Sequence, residues 1–484
     1  MTDLFARRPV TAPWLRFYAP GVPPDLSVPP VTLPDLLDDA ARRFRFRAAL
    51  SCQGHRTGFR ALRRAAVRCA AALDRLGVGR GDRVAVLLPD CPELVVLCHA
   101  VWRLGAVVVP GNPADPGRAV AGAVVAVVPR ERGPETARAG RYAALSVVVT
   151  VEVGRRGGPG PGARRRGGIP AGSVSRASLT AGGAPPRPRG PSRTTSARGP
   201  GTAPRQPRQA PTLVAYHDLD RWDAADDRSR AGGPLPEDIA VVLPRRDGTS
   251  VTLRHRHLAA AAHQIRAWHP ESAQRSARLL SLVPLSGPHG LALGVAAAAL
   301  TGACTVLVPD GDPATALRAA RRAAPTVLAA SPARLRLLME RPAHEREALA
   351  TVRTVVTGPL DAVTGERLRA ALDVRVVEAY GPTAAAGIAL ANPATADARS
   401  GTAGIPLPGT EVRIAVEGAL AAEALPGHAG ELLLRGPQFG DVPGLMPGGW
   451  LRTGRLAMCG PDGFVTLLDA RGGDDGPGGA ARRP

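Results

Sequence analysis

The sequence predicts an α/β protein: two α/β parts and a small β-rich part, interrupted by an Arg/Gly/Pro-rich insertion that reads as disordered. Three observations carry this. Helical periodicity alternates with short continuous apolar runs on both sides of the insertion, the signature of strands buried on both faces with helices between them. The chain is 44% hydrophobic but only 3% aromatic, so its core must be built from Ala, Val and Leu. Its 484 residues suffice for several structural units, at roughly 100 to 200 residues per domain.

The elements follow in order. Leu62, Ala66, Cys69, Leu73 and Leu76 recur at helical spacing, and Gly77 stops that helix. Gly81-Asp82 turns the chain into a strand at 84–88, a second helix covers 92–104, and a second strand lies within 105–110. From 114 to 235 glycine, proline and arginine dominate, and such a segment buries too little apolar surface to offset its ordering entropy. Order resumes with a strand at 239–243, an Ala-rich helix after His257, a strand at 279–283, and a helix and strand across 291–308. Asp312-Pro313 and Ser331-Pro332 each read as an N-cap followed by a first helical residue. Beyond Gly401 short alternating strands at 411–416 and 431–435 indicate the β-rich unit. The expected division is therefore 1–113, 114–235, 236–400, 401–470 and a disordered tail at 471–484.

Composition excludes several function classes. All 62 residues counted as Lys+Arg are arginine. Arginine's permanently charged fork cannot replace an ammonium in a Schiff base, so an intact Walker-type Gly-Lys loop and a pyridoxal phosphate enzyme are excluded. The six cysteines form no C-x-x-C pair and no zinc spacing, which suits buried thiols in a reducing compartment. Met1 to Tyr18 lacks a continuous hydrophobic segment, giving an expectation of a cytoplasmic protein without a secretory signal. The uncharged stretch 290–309 is broken by Thr301-Gly302 and reads as a helix followed by a strand rather than a membrane span. Of the net charge of +21, an excess of thirteen arises between 130 and 210, from sixteen arginines against three glutamates. A nucleic-acid-binding arm, a disordered insertion and out-of-frame coding sequence are three readings of that stretch. Nucleic acid is the less favoured partner, because no aromatic residues interleave with the arginines as stacking platforms. His255, His257, His263 and His269 lack a carboxylate partner at metal-site spacing and read as surface or core residues, so no metal site is expected.

Ordered blocks point further. Pro13-Trp14-Leu15 with Tyr18, Gly77-Val-Gly-Arg-Gly-Asp-Arg-Val84, Leu88-Pro-Asp-Cys-Pro92 and Gly105-Ala-Val-Val-Val-Pro110 precede Glu378-Ala-Tyr-Gly-Pro-Thr383, Gly404-Ile-Pro-Leu-Pro-Gly-Thr410, Gly430-Glu-Leu-Leu-Leu-Arg-Gly-Pro437 and Gly449-Trp-Leu-Arg-Thr-Gly454. This series resembles the AMP-dependent synthetase/ligase, or adenylate-forming, superfamily, in particular its long-chain fatty acid-CoA ligases. The resemblance implies that 1–113 and 236–400 are the two α/β parts of an AMP-binding domain. It also implies ATP-dependent conversion of a carboxylic, typically fatty, acid to an acyl-adenylate, then transfer to coenzyme A.

The resemblance also names residues. Tyr380 and Gly381 match positions flanking the adenine, Thr383 matches the hydroxyl at the α-phosphate and is the remaining catalytic candidate, and Asp469 matches the hinge aspartate. Gly248, Thr249 and Ser250 occupy the pyrophosphate cradle, here Pro244-Arg245-Arg246-Asp247-Gly248-Thr249-Ser250 without its lysine. The family's magnesium-binding glutamate is Ala384, its ribose-binding aspartate is Arg455, the arginine after the hinge is Ala470, and Pro284-Leu285-Ser286-Gly287-Pro288-His289-Gly290 lacks a Phe-His pair. The family's further C-terminal domain, roughly a hundred residues and so of ordinary domain size, is expected to be missing from a chain that ends at Pro484. These departures predict impaired turnover. The alternative is a non-catalytic protein that binds an acyl group or nucleotide.

Overall fold

A computed structural model describes residues 12–112, 116–140, 145–153, 211–216, 233–245, 247–268, 277–309, 311–394, 397–442 and 445–468. Among them the strands form sheets of nine, seven and six members. The α/β expectation is met.

The seven-stranded sheet runs Thr212–Ala215, Val147–Val151, Val125–Pro129, Arg83–Val86, Val107–Pro110, Ile239–Pro244 and Ser250–Arg254. All pairings are parallel except the last, which is a hairpin. The nine-stranded sheet runs Ile405–Pro406, Leu390–Ala391, Arg375–Tyr380, Thr354–Thr357, Val327–Ala329, Arg278–Ser281, Cys304–Leu307, Ala48–Cys52 and His55–Gly58. Its six central strands are parallel, with antiparallel strands at both edges. The six-stranded sheet, built from Glu411–Val416 to Val465–Leu467, is antiparallel and is the expected β-rich unit.

Alternation within each strand divides the core into layers. Val84 and Val86 face the large apolar cluster that also holds Leu50, Val377 and the helices Leu33–Arg43, Phe59–Arg75, Pro92–Arg103 and His255–Trp268. Ala85 and Leu87 face a second cluster on the other side of the same sheet. Leu280, Val306, Leu328 and Val355 face a third, under the helices Pro313–Ala323, Pro332–Met339 and Ala362–Ala371. The helix starts are capped as expected: Asp312 accepts from the Thr315 N–H at 2.9 Å and Ser331 from the Arg334 N–H at 3.4 Å. A capping box at Thr32 and Asp35 adds one that the sequence pattern did not single out. The uncharged 290–309 stretch is a helix ending at Thr301 and a strand at Cys304–Leu307, and among the described residues no helix is long and apolar enough to cross a membrane.

Two expectations need correcting. The segment 114–235 is expected from composition to lack order, yet Val125–Pro129, the helix Gly133–Gly140, Val147–Val151 and Thr212–Ala215 are strands and a helix of the seven-stranded sheet. A parallel strand covered on both faces is a plain apolar run. Val-Val-Ala-Val-Val at 124–128 is such a run, outweighed in composition by the arginines that follow. The boundary at 235 also does not separate sheets, since Ile239–Pro244 pairs with Val107–Pro110 and Ala48–Cys52 with Cys304–Leu307. The Arg-rich residues 154–210 and the tail 471–484 lie outside the described residues.

His99, His255, His257 and His263 are buried. His255 Nδ1 accepts from the Leu33 N–H at 3.3 Å, and His257 Nδ1 from the Arg254 N–H at 3.1 Å. His269 is not described. Burial lowers the pKa of His99 and His257 to about 3 and of His255 and His263 to about 4. Each depressed pKa contributes stability that is present above the unfolded value near 6.5 and is lost as pH falls through the folded one. Asp90, raised to about 6 by burial, and Glu378, also raised by burial, oppose this with fewer groups. The urea midpoint is therefore expected to fall between pH 7.5 and pH 5.5. His99→Leu should remove about one proton from that slope, measurable by equilibrium unfolding at matched ionic strength.

Candidate functional site

The strand Arg375–Tyr380 carries the β-branched pair Val376-Val377 and ends at a buried tyrosine. Pro382 cannot continue the ladder, and the chain makes one 3-10 turn at Thr383–Ala385 before returning antiparallel, with Tyr380 opposite Leu390. The Ala389 N–H donates to the Tyr380 carbonyl at 2.9 Å. The return is tight enough that a Cβ on Gly381 would lie 1.8 Å from the Gly387 carbonyl oxygen. Only glycine fits there.

Three distant segments pack on this turn. Thr383–Ala385 lies against the strand Ser250–Arg254 and the short helical turn Pro288–Gly290. The Ala384 carbonyl accepts from the Gly440 N–H at 2.8 Å. Gly440 leads into Asp441, whose backbone bonds reciprocally with Thr252 at 2.9 and 3.0 Å and whose carboxylate takes two bonds from the Arg254 guanidinium at 3.0 and 2.7 Å. The Pro284–Gly290 loop is fixed in turn by Asp90, which accepts from the Leu285 N–H at 3.0 Å. Burial holds Asp90 at about 6 against that bond. These segments meet at the carboxyl ends of the parallel strands, the usual ligand position in open α/β sheets. Tyr380, Gly381 and Thr383 stand together there, Thr383 half-buried at the head of its turn.

The cradle candidates fare differently. Arg245, Asp247, Gly248 and Thr249 lie in the turn of the hairpin between Ile239–Pro244 and Ser250–Arg254, Pro244 opposite Ser250. The Arg245 N–H donates to Thr249, the Gly248 N–H to Arg245, and both the Thr249 N–H and hydroxyl to Asp247 Oδ1 at 2.9 and 2.7 Å. These hydrogen bonds hold the Asp247 carboxyl below its usual range. An open nest presents its N–H groups to an anion, whereas this loop uses them on itself and adds a negative charge.

Ala384 is 1% exposed and packs into the core with Ala385 and Ala386. The nearby carboxylate, Glu378, is also committed, accepting from the N–H groups of Leu360 and Gly401 and from the Ser400 hydroxyl at 3.2, 2.8 and 3.0 Å. Burial raises its pKa in spite of these donors. Among the described residues no group of three or more His, Cys, Asp or Glu is arranged to hold a metal ion. The donor set at this turn does not fit magnesium.

Arg455 sits in an irregularity of the strand Trp450–Cys459, where Leu433 opposes Arg452 but Glu431 opposes Leu456. Thr453 bridges the distortion, its hydroxyl donating to the Leu432 carbonyl at 2.7 Å and accepting from the Arg455 N–H at 3.1 Å. Such bulges re-aim side chains. Asp469 lies outside the described residues.

Sequence reasoning missed a buried amide network. Gln264 Nε2 donates to the Pro408 carbonyl, Thr410 Oγ1 and Gln438 Oε1 at 2.8, 3.1 and 3.2 Å, and Gln438 Nε2 donates to Thr410 at 2.8 Å. It ties the helix His255–Trp268 to the segment that delivers Gly440. A glutamine inside an otherwise alanine-rich helical face was the available signal.

A family model for AMP-binding enzymes matches residues 37–130 and 250–448, more than half of the chain. A long-chain-fatty-acid–CoA ligase of Bacillus subtilis (strain 168) is 24% identical over 95% of this chain and 80% of its own length. A 4-coumarate–CoA ligase of Oryza sativa subsp. japonica is 27% identical over 83% of this chain and 68% of its own. The crystal structure of a long-chain-fatty-acid-CoA ligase from Archaeoglobus fulgidus superposes with a TM-score of 0.72 at 18% identity, covering 93% of this chain and 86% of that one, a likeness of fold.

Gly381→Ala is expected to cost about 3 kcal/mol or more in equilibrium unfolding, because neither backbone at the close approach can yield. Ala386→Gly should be nearly neutral, since the methyl it loses is offset by relief of the left-handed backbone at φ +46°.

Proposed function

Because this chain belongs to the AMP-binding enzyme family of adenylate-forming, acyl-CoA ligase-like proteins, we propose that it binds AMP or an acyl-adenylate and turns over weakly or not at all. The reaction of its lineage activates a carboxylic acid with ATP and passes the acyl group to coenzyme A, and a fatty acid is the proposed acyl substrate. In this reading Tyr380 and Gly381 flank the adenine, Thr383 meets the α-phosphate, and Gly248, Thr249, Ser250 and Asp469 are inherited positions at the cradle and hinge. Localisation in the cytoplasm belongs to the same proposal.

One observation carries the reduced-turnover part. Thr249 gives both its donors to Asp247, so the leaving pyrophosphate meets a closed turn with a carboxylate where transition-state charge needs preorganised donors. Ala384 and Arg455 agree with it: one brings a buried methyl to a position that needs an oxygen, the other donors to a position that needs an acceptor. No step is assigned to magnesium.

The decisive measurement is carboxylate-dependent exchange of labelled pyrophosphate into ATP across a panel of fatty acids, run beside AMP titration. The expected result is saturable AMP binding with exchange at background. Robust exchange would refute impaired turnover, and absence of AMP binding would refute the nucleotide site. Asp247→Ala frees the Thr249 donors and removes the repelling charge, so pyrophosphate should bind several-fold tighter than to the parent, by calorimetry, with AMP affinity unchanged.

A further inference from the structure

A basic cavity lies beside the amino ends of the strands Arg278–Ser281 and Cys304–Leu307. About 150 Å³ in volume, it is lined by Arg47, Arg56, Arg278, Ser51 and Cys304 among others. Arg278 and Cys304 are the first residues of their parallel strands, and Arg47 immediately precedes Ala48–Cys52. The adenylate site described above is formed at the carboxyl ends, so the two are separate.

Three guanidinium groups from three elements converge here, and each is differently held. Arg278 Nε donates to the Ala324 carbonyl at 2.7 Å, at the left-handed end of the helix Pro313–Ala323. Arg47 lies over the Phe44 ring at 4.8 Å and reaches the Gly302 carbonyl at 3.5 Å, at the end of the helix closing at Thr301. Arg56 stands exposed on His55–Gly58, opposite Ser51. Among the described residues none of the three is in an ion pair with a carboxylate, and no acidic residue lines the cavity. Where arginines of this chain meet carboxylates they pair with them, as Arg452 with Glu431 and Arg435 with Glu411, and no carboxylate of the described residues stands at this cavity. Three unmatched like charges around one cavity repel each other, and a multiply charged anion removes that cost. The planar forks suit tetrahedral oxyanions, which accept paired N–H donors.

We propose that this cavity is a binding site for a phosphate monoester, carried either by a small soluble metabolite or by a lipid headgroup. Arg278 and Arg47 are preset by helix-end carbonyls, and Arg56 closes over the bound anion from the sheet edge. Ser51 offers a hydroxyl at the wall. The fields of Arg56 and Arg278 both reach the Cys304 thiol, although burial dominates there and pushes it up to about 11.

The test uses the full chain with glycerol 3-phosphate and inorganic phosphate as soluble probes, by calorimetry against chloride at equal ionic strength. Vesicles of phosphatidylcholine with and without phosphatidic acid serve in co-sedimentation. Arg56→Gln and Arg278→Gln should each weaken binding about ten-fold or more, while Arg367→Gln, an exposed arginine on Ala362–Ala371, should leave it unchanged. Since Arg278 also caps a helix, Arg56→Gln, exposed and making no such bond, decides the matter if Arg278→Gln does not fold. Loss of soluble-phosphate binding in the variant assigns a metabolite. Loss of phosphatidic acid-dependent sedimentation, without any soluble response, assigns a headgroup. Equal binding by parent and Arg56→Gln, or a response that chloride reproduces, overturns the proposal.

Discussion

The contact of two backbones at Gly381 and Gly387 is the constraint on which the site depends. The strand Arg375–Tyr380 can double back into Leu390–Ala391 only if nothing projects between them, and a Cβ would come within 1.8 Å of a carbonyl oxygen. That reversal sets the direction of Thr383–Ala385, and the direction of the turn decides that the Ala384 carbonyl receives the Gly440 N–H. Gly440 in turn brings Asp441 onto Thr252 and Arg254, so the β-rich unit is registered against the seven-stranded sheet through a turn of the nine-stranded one. Buried polar bonds reinforce this: Gln264, Thr410 and Gln438 link the same units in the interior, with Gln264 Oε1 the one acceptor of the group left without a partner among the described residues.

A scaffold this well registered separates binding from turnover. Binding an adenylate needs a shaped floor and a few positioned groups, and the convergence at 380–387 provides a floor that does not depend on the hairpin 245–249 or on Arg455. Expelling pyrophosphate needs donors that gain strength as charge develops, and in the proposed reading those are withheld without disturbing the packing at 380–387, because Asp247 and Thr249 satisfy each other at an exposed hairpin tip. The packing at Ala384 points the same way. A run of alanines at 384–386 buries well, so the fold gains apolar contact where a metal site would need an oxygen.

Much of the fold was legible because it is written in local signals. Gly77 as a helix stop, Asp312 and Ser331 as caps and the apolar runs at 84–88 and 239–243 each depend on a few neighbouring residues, and each is where the pattern put it. What was misread depends on context. Val125–Pro129 and Val147–Val151 carry the same buried-strand signal as the strands that were recognised, but arginine and glycine nearby hid it. The site was legible as an ordered set of blocks and not as geometry. That Glu378 turns to the Ser400 hydroxyl and the Gly401 N–H, or that Thr249 is consumed by Asp247, is decided by hydrogen bonds whose partners the sequence leaves open. The π-helical turn at Leu291–Ala297 belongs to the same class, and its Gly294 sits against Leu285, a contact across a loop.

An all-arginine cation set has a consequence for both sites. Arginine forms paired, planar bonds to carboxylates, and the described surface uses it so at Arg254, Arg435 and Arg452. It serves structure as well as lysine would, or better, so replacing every lysine need not weaken the fold. Chemistry is different. A single ammonium on a flexible stem can follow a phosphate through a changing geometry and can lose a proton when desolvated, and a guanidinium does neither. A protein composed in this way keeps what fixed forks do well, which is to hold an oxyanion of constant shape. It gives up what compact mobile charges do, which is to stabilise one that is forming. A fixed fork suits the cavity ringed by Arg47, Arg56 and Arg278, where the proposed ligand keeps one shape, better than it suits a hairpin proposed to meet a leaving pyrophosphate.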